Sequence, residues 1–150
     1  CTQNGTLVAV STFDDGVKVF RRASKELLHR FENIDQNSTA ENISFSPDGT
    51  LLAIAYMDGP LDVVDTTDFH ILYTIDAGGM IFSPDGRMGV IHAGENTIEF
   101  LDARRGTVLG SFQYPDDYCN LAFSPDGTKL MCGSTFGNIY LFEVVPTPGK

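Results

Sequence analysis

The residues able to do chemistry in this chain are few and scattered. His29, His70 and His92 could ligate a metal through neutral imidazole nitrogens, and Cys1, Cys119 and Cys132 through thiolates. No partner Cys or carboxylate stands at ligand spacing from the histidines, so they read as solvated or singly hydrogen-bonded side chains. "GSTFG" at Gly133–Gly137 has its Ser in the wrong place for a G-x-S-x-G nucleophile elbow. "FDDG" at Phe13–Gly16 is too short for a calcium loop and reads as a turn. No phosphate loop and no His-Glu-x-x-His is present. The expectation is a protein without catalytic residues, metal or cofactor. Asn4-Gly5-Thr6, Asn37-Ser38-Thr39 and Asn42-Ile43-Ser44 have the form of glycosylation acceptors, which matter only in a secreted protein.

Charge narrows the partners. Twenty acidic residues against ten basic ones give a formal charge of −10 over 150 residues. That balance disfavours non-specific binding to nucleic acid or to an anionic membrane, both of which need basic surface. No apolar run approaches the roughly 20 residues of a membrane-spanning helix. Nothing resembles a signal peptide and the chain starts at Cys1, which suggests either a removed leader or a piece of something longer.

The elements that must position these residues announce themselves by repetition. "FSPDG" occurs at Phe45–Gly49, Phe82–Gly86 and Phe123–Gly127, at spacings of 37 and 41 residues. Ser opens a type I turn, Pro presets φ at its second position, and Gly tolerates the left-handed geometry that closes a hairpin. Each copy ends one strand, Ile43–Phe45 in the first case, and starts another, Leu51–Tyr56. Two further segments follow in that copy, Leu61–Asp65 and His70–Ile75, giving four antiparallel strands per unit. A copy in the same register starts at Gly5 and another, shorter one follows Gly127.

This pattern resembles the WD-repeat β-propeller family, in which each repeat is a four-stranded blade, and the resemblance spans roughly residues 4 to 144. The Trp-Asp pair of the family pattern reads Phe20-Arg21, Val64-Asp65, Leu101-Asp102 and Phe142-Glu143 here, and the Gly-His pair is missing. The family's Trp–Ser–His–Asp network therefore cannot form, and the blades must be held mainly by apolar packing. The resemblance implies an all-β fold: blades of four antiparallel strands, two complete and two partial, in an incomplete ring. Its units are 1–35, 36–76, 77–114 and 115–150. Propellers usually close with about 4–8 blades, so the chain reads as a piece of a larger propeller whose remaining blades would be its partners. The expected inter-blade core is Leu52, Ile54, Val63, Ile98, Phe100, Leu130, Ile139 and Leu141.

In this register His29 and His70 fall on outermost strands and His92 on a second strand, so the three do not align. Counting from the last turn, Cys132 should face a residue near Leu121 rather than Cys119. The thiols are therefore expected to be unpaired and small buried groups, which leans towards a reducing, cytoplasmic compartment.

Function follows from what the resemblance implies: a non-enzymatic scaffold for protein–protein interaction. The alternative is an enzymatic, lactonase-like bacterial propeller with a metal or substrate site at the channel mouth. In such a fold the blade connections and the second-to-third-strand turns open on one face. That face would collect Asp14, Asp15, Glu32, Asp35, Glu41, Asp58, Asp76, Glu95, Asp116 and Asp117. The opposite face mixes acids with Arg21, Arg22, Lys25, Arg87, Arg104 and Arg105. "QYPDDY" adds Tyr114 and Tyr118 as contact area beside the charges. The expected partner is a basic peptide or protein segment docking on the acidic face.

Overall fold

Every repeat folds from its turn outward. Ser46 Oγ donates to Asp48 Oδ1 at 2.6 Å and accepts the Leu51 N–H at 2.9 Å, while Asp48 Oδ1 accepts the Thr50 N–H at 3.1 Å. The same three bonds recur around Ser83 and Asp85 and around Ser124 and Asp126. They satisfy turn donors that would otherwise compete with the strands, so each turn fixes the register of the hairpin it closes. The structure, a computed structural model, describes residues 1–13, 15–32, 39–57, 59–94, 96–114 and 119–145, and of Cys119 the backbone alone.

Fourteen strands are found among the described residues, and no helix. The first sheet holds β1 (Leu7–Thr12), β2 (Gly16–Arg21) and β3 (Glu26–Phe31). The second holds β4 (Ala40–Phe45), β5 (Leu51–Tyr56), β6 (Leu61–Asp65) and β7 (Ile71–Ile75). The third holds β8 (Met80–Phe82), β9 (Met88–His92), β10 (Thr97–Asp102) and β11 (Val108–Gln113). The fourth holds β12 (Cys119–Phe123), β13 (Lys129–Ser134) and β14 (Ile139–Glu143). Each sheet is an antiparallel meander in chain order, so the strand pattern expected from the repeats is the one observed: two four-stranded sheets between two three-stranded ones.

Three apolar layers join the four sheets. Val17 and Val19 of β2 meet Leu52, Ile54 and Val64 of the second sheet. The other face of the second sheet, with Ala53, Ala55, Leu61 and Val63, packs on Met80, Ile91 and Leu101 of the third. The far face of the third sheet, Val90 and Ile98, packs on Leu130 and Cys132 of the fourth. Two polar ties cross the middle layer. Tyr73 Oη donates to the Ala103 carbonyl at 2.7 Å, and Arg104 pairs with Asp65, a carboxylate 3 % exposed. Bonds from Thr67 first, and then Arg104, hold the Asp65 carboxyl down to about 2.

Leu52, Ile54, Val63, Ile98 and Leu130 are buried core residues as expected, and Phe100 is half-buried. Ile139 and Leu141 are not core: they are 73 % and 61 % exposed. Period-2 alternation along β14 turns Tyr140 and Phe142 towards the third sheet and sends Ile139 and Leu141 to the opposite face. No neighbouring sheet covers that face among the described residues.

The thiol expectation is also corrected. Cys132 does sit opposite Leu121 in the ladder, but it is disulfide-bonded, and Cys1 is the exposed free thiol. Register identifies only directly opposed residues, whereas diagonal neighbours on one sheet face are also within reach. A bonded cysteine removes the ground for a reducing compartment.

Candidate protein-interaction face

Because successive strands run antiparallel, the connections fall alternately at two ends of the arc. The β1–β2, β3–β4, β5–β6, β7–β8, β9–β10 and β11–β12 connections share one end; the Ser-Pro-Asp-Gly turns share the other. The turns touch each other in sequence order. A Cβ added to Gly49 would lie 2.9 Å from Thr2 Cγ2, and one added to Gly127 would lie 3.4 Å from Pro84 Cδ. Gly49 and Gly127 also have φ of 75° and 71°, so the backbone favours glycine at both, and at Gly49 the close approach of Thr2 does so as well.

The contact at Thr2 shows how the copy expected to start at Gly5 forms a full turn, with side-chain bonds that the sequence reading did not assign. Thr2 Oγ1 donates to Asn4 Oδ1 at 2.8 Å and accepts the Leu7 N–H at 3.1 Å, and Asn4 Oδ1 accepts the Thr6 N–H at 3.0 Å. "TQNGT" is thus "SPDGT" with Thr for Ser, Gln for Pro and Asn for Asp. The available signal was chemical equivalence at each hydrogen-bonding position rather than identity.

Among the expected site residues, Asp14, Asp58, Glu95, Asp116, Asp117 and Tyr118 lie outside the described residues, as does Asp35. Asp15 is bound by Lys18 Nζ at 2.6 Å and by Arg30 Nη2 at 3.1 Å. The Lys18 hydrogen bond and charge, then Arg30, hold its carboxyl below the usual range, and this acid is spoken for. Asp76 and Glu41 are exposed, sit in or beside connections at the same end, and form no ion pair among the described residues. Tyr114 departs from expectation. It is 3 % exposed, its N–H donates to the Asn96 carbonyl at 3.1 Å, and its ring meets His92 edge-on at 6.1 Å. Packing in the layer with Val90 and Ile98 removes it from any contact surface.

At the opposite end three of the six bases expected there are engaged. Arg104 binds Asp65, Arg105 binds Asp102 at 3.0 Å, and Arg21 binds Glu26 at 3.3 Å. The histidines are distributed as packing and surface groups. His29 stacks on Phe69 at 5.0 Å, and His70 Nδ1 lies 2.5 Å from Asp68. Among the described residues no group of three or more His, Cys, Asp or Glu is placed to hold a metal ion.

A niche of about 180 Å³ opens on the inner strands, lined by Asn42, Asn120, His92 and the backbone of Gly78 and Gly79 over an apolar floor. It exists because β8 has only three residues where β4 has six, so the ladder with β9 stops at Met80↔Ile91 and leaves Gly79 beyond it.

Comparison with known proteins places this architecture. A family model described as the anaphase-promoting complex subunit 4 WD40 domain matches residues 1–81. A small ribosomal subunit protein, RACK1y, of Oryza sativa subsp. japonica is 30 % identical over 149 residues, covering 91 % of this chain and 44 % of that protein. An uncharacterized WD repeat-containing protein of Synechocystis sp. is 27 % identical over 143 residues, covering 89 % of this chain and 39 % of its own length. In the crystal structure of a mitotic checkpoint complex, one chain superposes with a TM-score of 0.77 at 19 % identity, over 95 % of this chain and 44 % of that one. The chain spans less than half the length of each of these proteins.

Proposed function

We propose that this chain, which belongs to the WD-repeat β-propeller family, is part of a non-enzymatic scaffold for protein–protein interaction, and that a basic protein segment docks on its connection-bearing end. One observation carries the reading. Glu41 and Asp76 are exposed at that end and form no ion pair among the described residues, while at the other end three of six bases, Arg21, Arg104 and Arg105, are engaged by Glu26, Asp65 and Asp102. Loops carried on packed β-sheets are where binding residues concentrate. Asp14, Asp58, Glu95, Asp116, Asp117 and Tyr118 belong to the proposed surface by their place in the sequence. Asp15 and Tyr114 drop out of it, one neutralised and the other buried.

Further sheets of the same propeller are the other proposed partners. The fourth sheet exposes Met131, Ile139, Leu141 and Val145 on one face, and the first exposes Val10 and Leu27. The family relatives are about twice as long as this chain. Apolar blade faces of that kind are what neighbouring repeats bury.

The test reverses Asp116 and Asp117 to Lys, and separately Glu41 and Asp76 to Lys, in the full-length protein. Partner association is then measured across a salt series. Exposed charges are screened beyond about 8 Å at physiological ionic strength, so wild-type association should slow as salt rises and the variants should lose that dependence. Equal loss on reversing Arg22 and Lys25, exposed bases at the opposite end, would refute the assignment.

A further inference from the structure

We infer that the niche between Asn42 and Asn120 is a peptide-backbone site, gripping an extended segment whose residues alternate between apolar and basic. The inference rests on the docking face proposed above and adds the groups that would hold the bound chain. Asn42, Gly79 and Asn120 occupy the same position, three residues before the motif Phe, in three consecutive repeats. Glycine in the middle copy leaves a gap flanked by two carboxamides. Neither carboxamide forms a hydrogen bond among the described residues. The two carboxamides thus present donors and acceptors together into one opening.

Peptide groups are the ligand such groups match. Each carboxamide offers two N–H donors and a carbonyl acceptor, the pattern that an extended backbone repeats along its length. The floor of Met80, Ile81, Val90 and Leu121 is apolar and suits an aliphatic side chain from the same segment. Met80 is fixed there because its sulfur fills the space that a Cβ on Gly89 would need. In an extended chain the neighbouring side chains point the other way, outward. Glu41, adjacent to Asn42 in sequence, and Asp76, two residues before Gly78, are exposed, lie at the same end of the strands and form no ion pair among the described residues, so that end favours basic side chains on the bound segment. Alternation of apolar and basic residues therefore satisfies floor and rim together.

The probe is a fluorescein-labelled peptide of alternating Lys and Leu, seven residues long, titrated against the full-length protein by fluorescence polarisation. Wild type should bind it, and the Asn42→Ala/Asn120→Ala double variant should bind roughly tenfold more weakly, the scale of one or two net hydrogen bonds. Gly79→Ala should weaken binding similarly, because its Cβ would stand 3.0 Å from Asn42 Nδ2 and displace that carboxamide. Gly110→Ala, where a Cβ meets nothing within 4 Å, is the folding control. The same peptide with N-methylated amides tests the ligand side without altering the protein, and should lose affinity to a similar degree.

The salt series separates this inference from the reading beneath it. Loss with the asparagine variants at unchanged salt dependence supports the niche. Full binding by those variants and by the N-methylated peptide, with salt dependence intact, overturns the niche and leaves the acidic face standing. A wild-type protein that ignores the probe overturns the niche, and the acidic face is then judged on its own partner and charge reversals.

Discussion

Strands β5 and β13 hold the same place in their repeats, yet all six residues of β5 are buried and only Leu130 and Cys132 of β13 are. The next strands differ in the same sense. All of β6 is buried, while β14 alternates between exposed and half-buried. Leu141 is no less apolar than Val63; what differs is the number of sheets beside it. Burial in a stack of repeats is a property of the neighbour as much as of the residue, because each unit contacts only the units on either side. The second sheet has two neighbours and the fourth has one.

The strongest test of that contrast removes methyl groups from the doubly covered sheet. Leu52 and Ile54 are both fully buried between the first and second sheets. Leu52→Ala or Ile54→Ala should lower stability by about 2–5 kcal/mol, read as a shift of the urea midpoint at constant m-value. A loss below about 1 kcal/mol at either site would mean that the layer is looser than its burial indicates.

The turns supply a second comparison, between strain alone and strain with crowding. Gly86 has φ of 72°, and an added Cβ would meet its neighbours no closer than 3.6 Å. Gly86→Ala should therefore cost only the left-handed penalty, about 1–2 kcal/mol. Gly49 has nearly the same φ, but its Cβ would press on Thr2 Cγ2 at 2.9 Å. Gly49→Ala should cost about 1 kcal/mol more, of the order of mild overpacking. Adding Thr2→Ser, which removes Cγ2 and keeps the hydroxyl of the turn, to Gly49→Ala should recover much of that excess and leave Gly86→Ala unchanged. Equal costs at the two glycines would show that neighbouring turns do not bear on each other.

Acid should act on the middle layer through Asp65. Its folded pKa of about 2 is below the ordinary 3.8, so its stabilising contribution is complete above about pH 4 and is lost as pH falls towards 2. Urea midpoints measured from pH 5 to pH 2 should decline, and Asp65→Asn should flatten part of that decline. Thr67→Ala, which removes the largest single cause, and Arg104→Ala should each raise the Asp65 pKa in an NMR titration. An unchanged pKa in the Arg104 variant would mean that the inter-sheet ion pair does not act on this carboxyl.

Much of the fold was legible because hairpin turns are written in a few obligatory residues. Ser, Asp and Gly at fixed offsets gave the register of three sheets, and β5 and β6 run over the residues expected of them. At the copy starting at Gly5 the glycine was legible but its bonding partners were not, for the converse reason: Thr and Asn make the same bonds as Ser and Asp without the same letters. Ile139 and Leu141 were misplaced because apolarity states what a residue prefers to touch, not whether a partner is there. Tyr114 lies next to an acidic loop in sequence, but its N–H bond to the Asn96 carbonyl carries the β10–β11 ladder one rung further, and alternation puts its ring on the same inward face as Phe112. The niche was unreadable too, since it arises where a strand is shorter than its repeat counterparts, with glycine in place of asparagine.

The smallest expected effect is the most informative about the open face. Leu141 is paired across the ladder with Met131, which is itself 45 % exposed, and nothing described covers either. Leu141→Ala in the 150-residue chain at low concentration should change stability by no more than about 0.5 kcal/mol, as surface substitutions do. The contrast with Leu52→Ala would then be close to the whole value of a second neighbour. If Leu141→Ala instead costs 2 kcal/mol or more at high protein concentration only, copies of the chain cover that face by pairing, and sedimentation should show the dimer. A comparable cost in the full-length protein at every concentration would mean that another sheet of the same chain lies there. In that case β14 is an interior strand, and Ile139 and Leu141 are core residues of an interface that this segment only half contains.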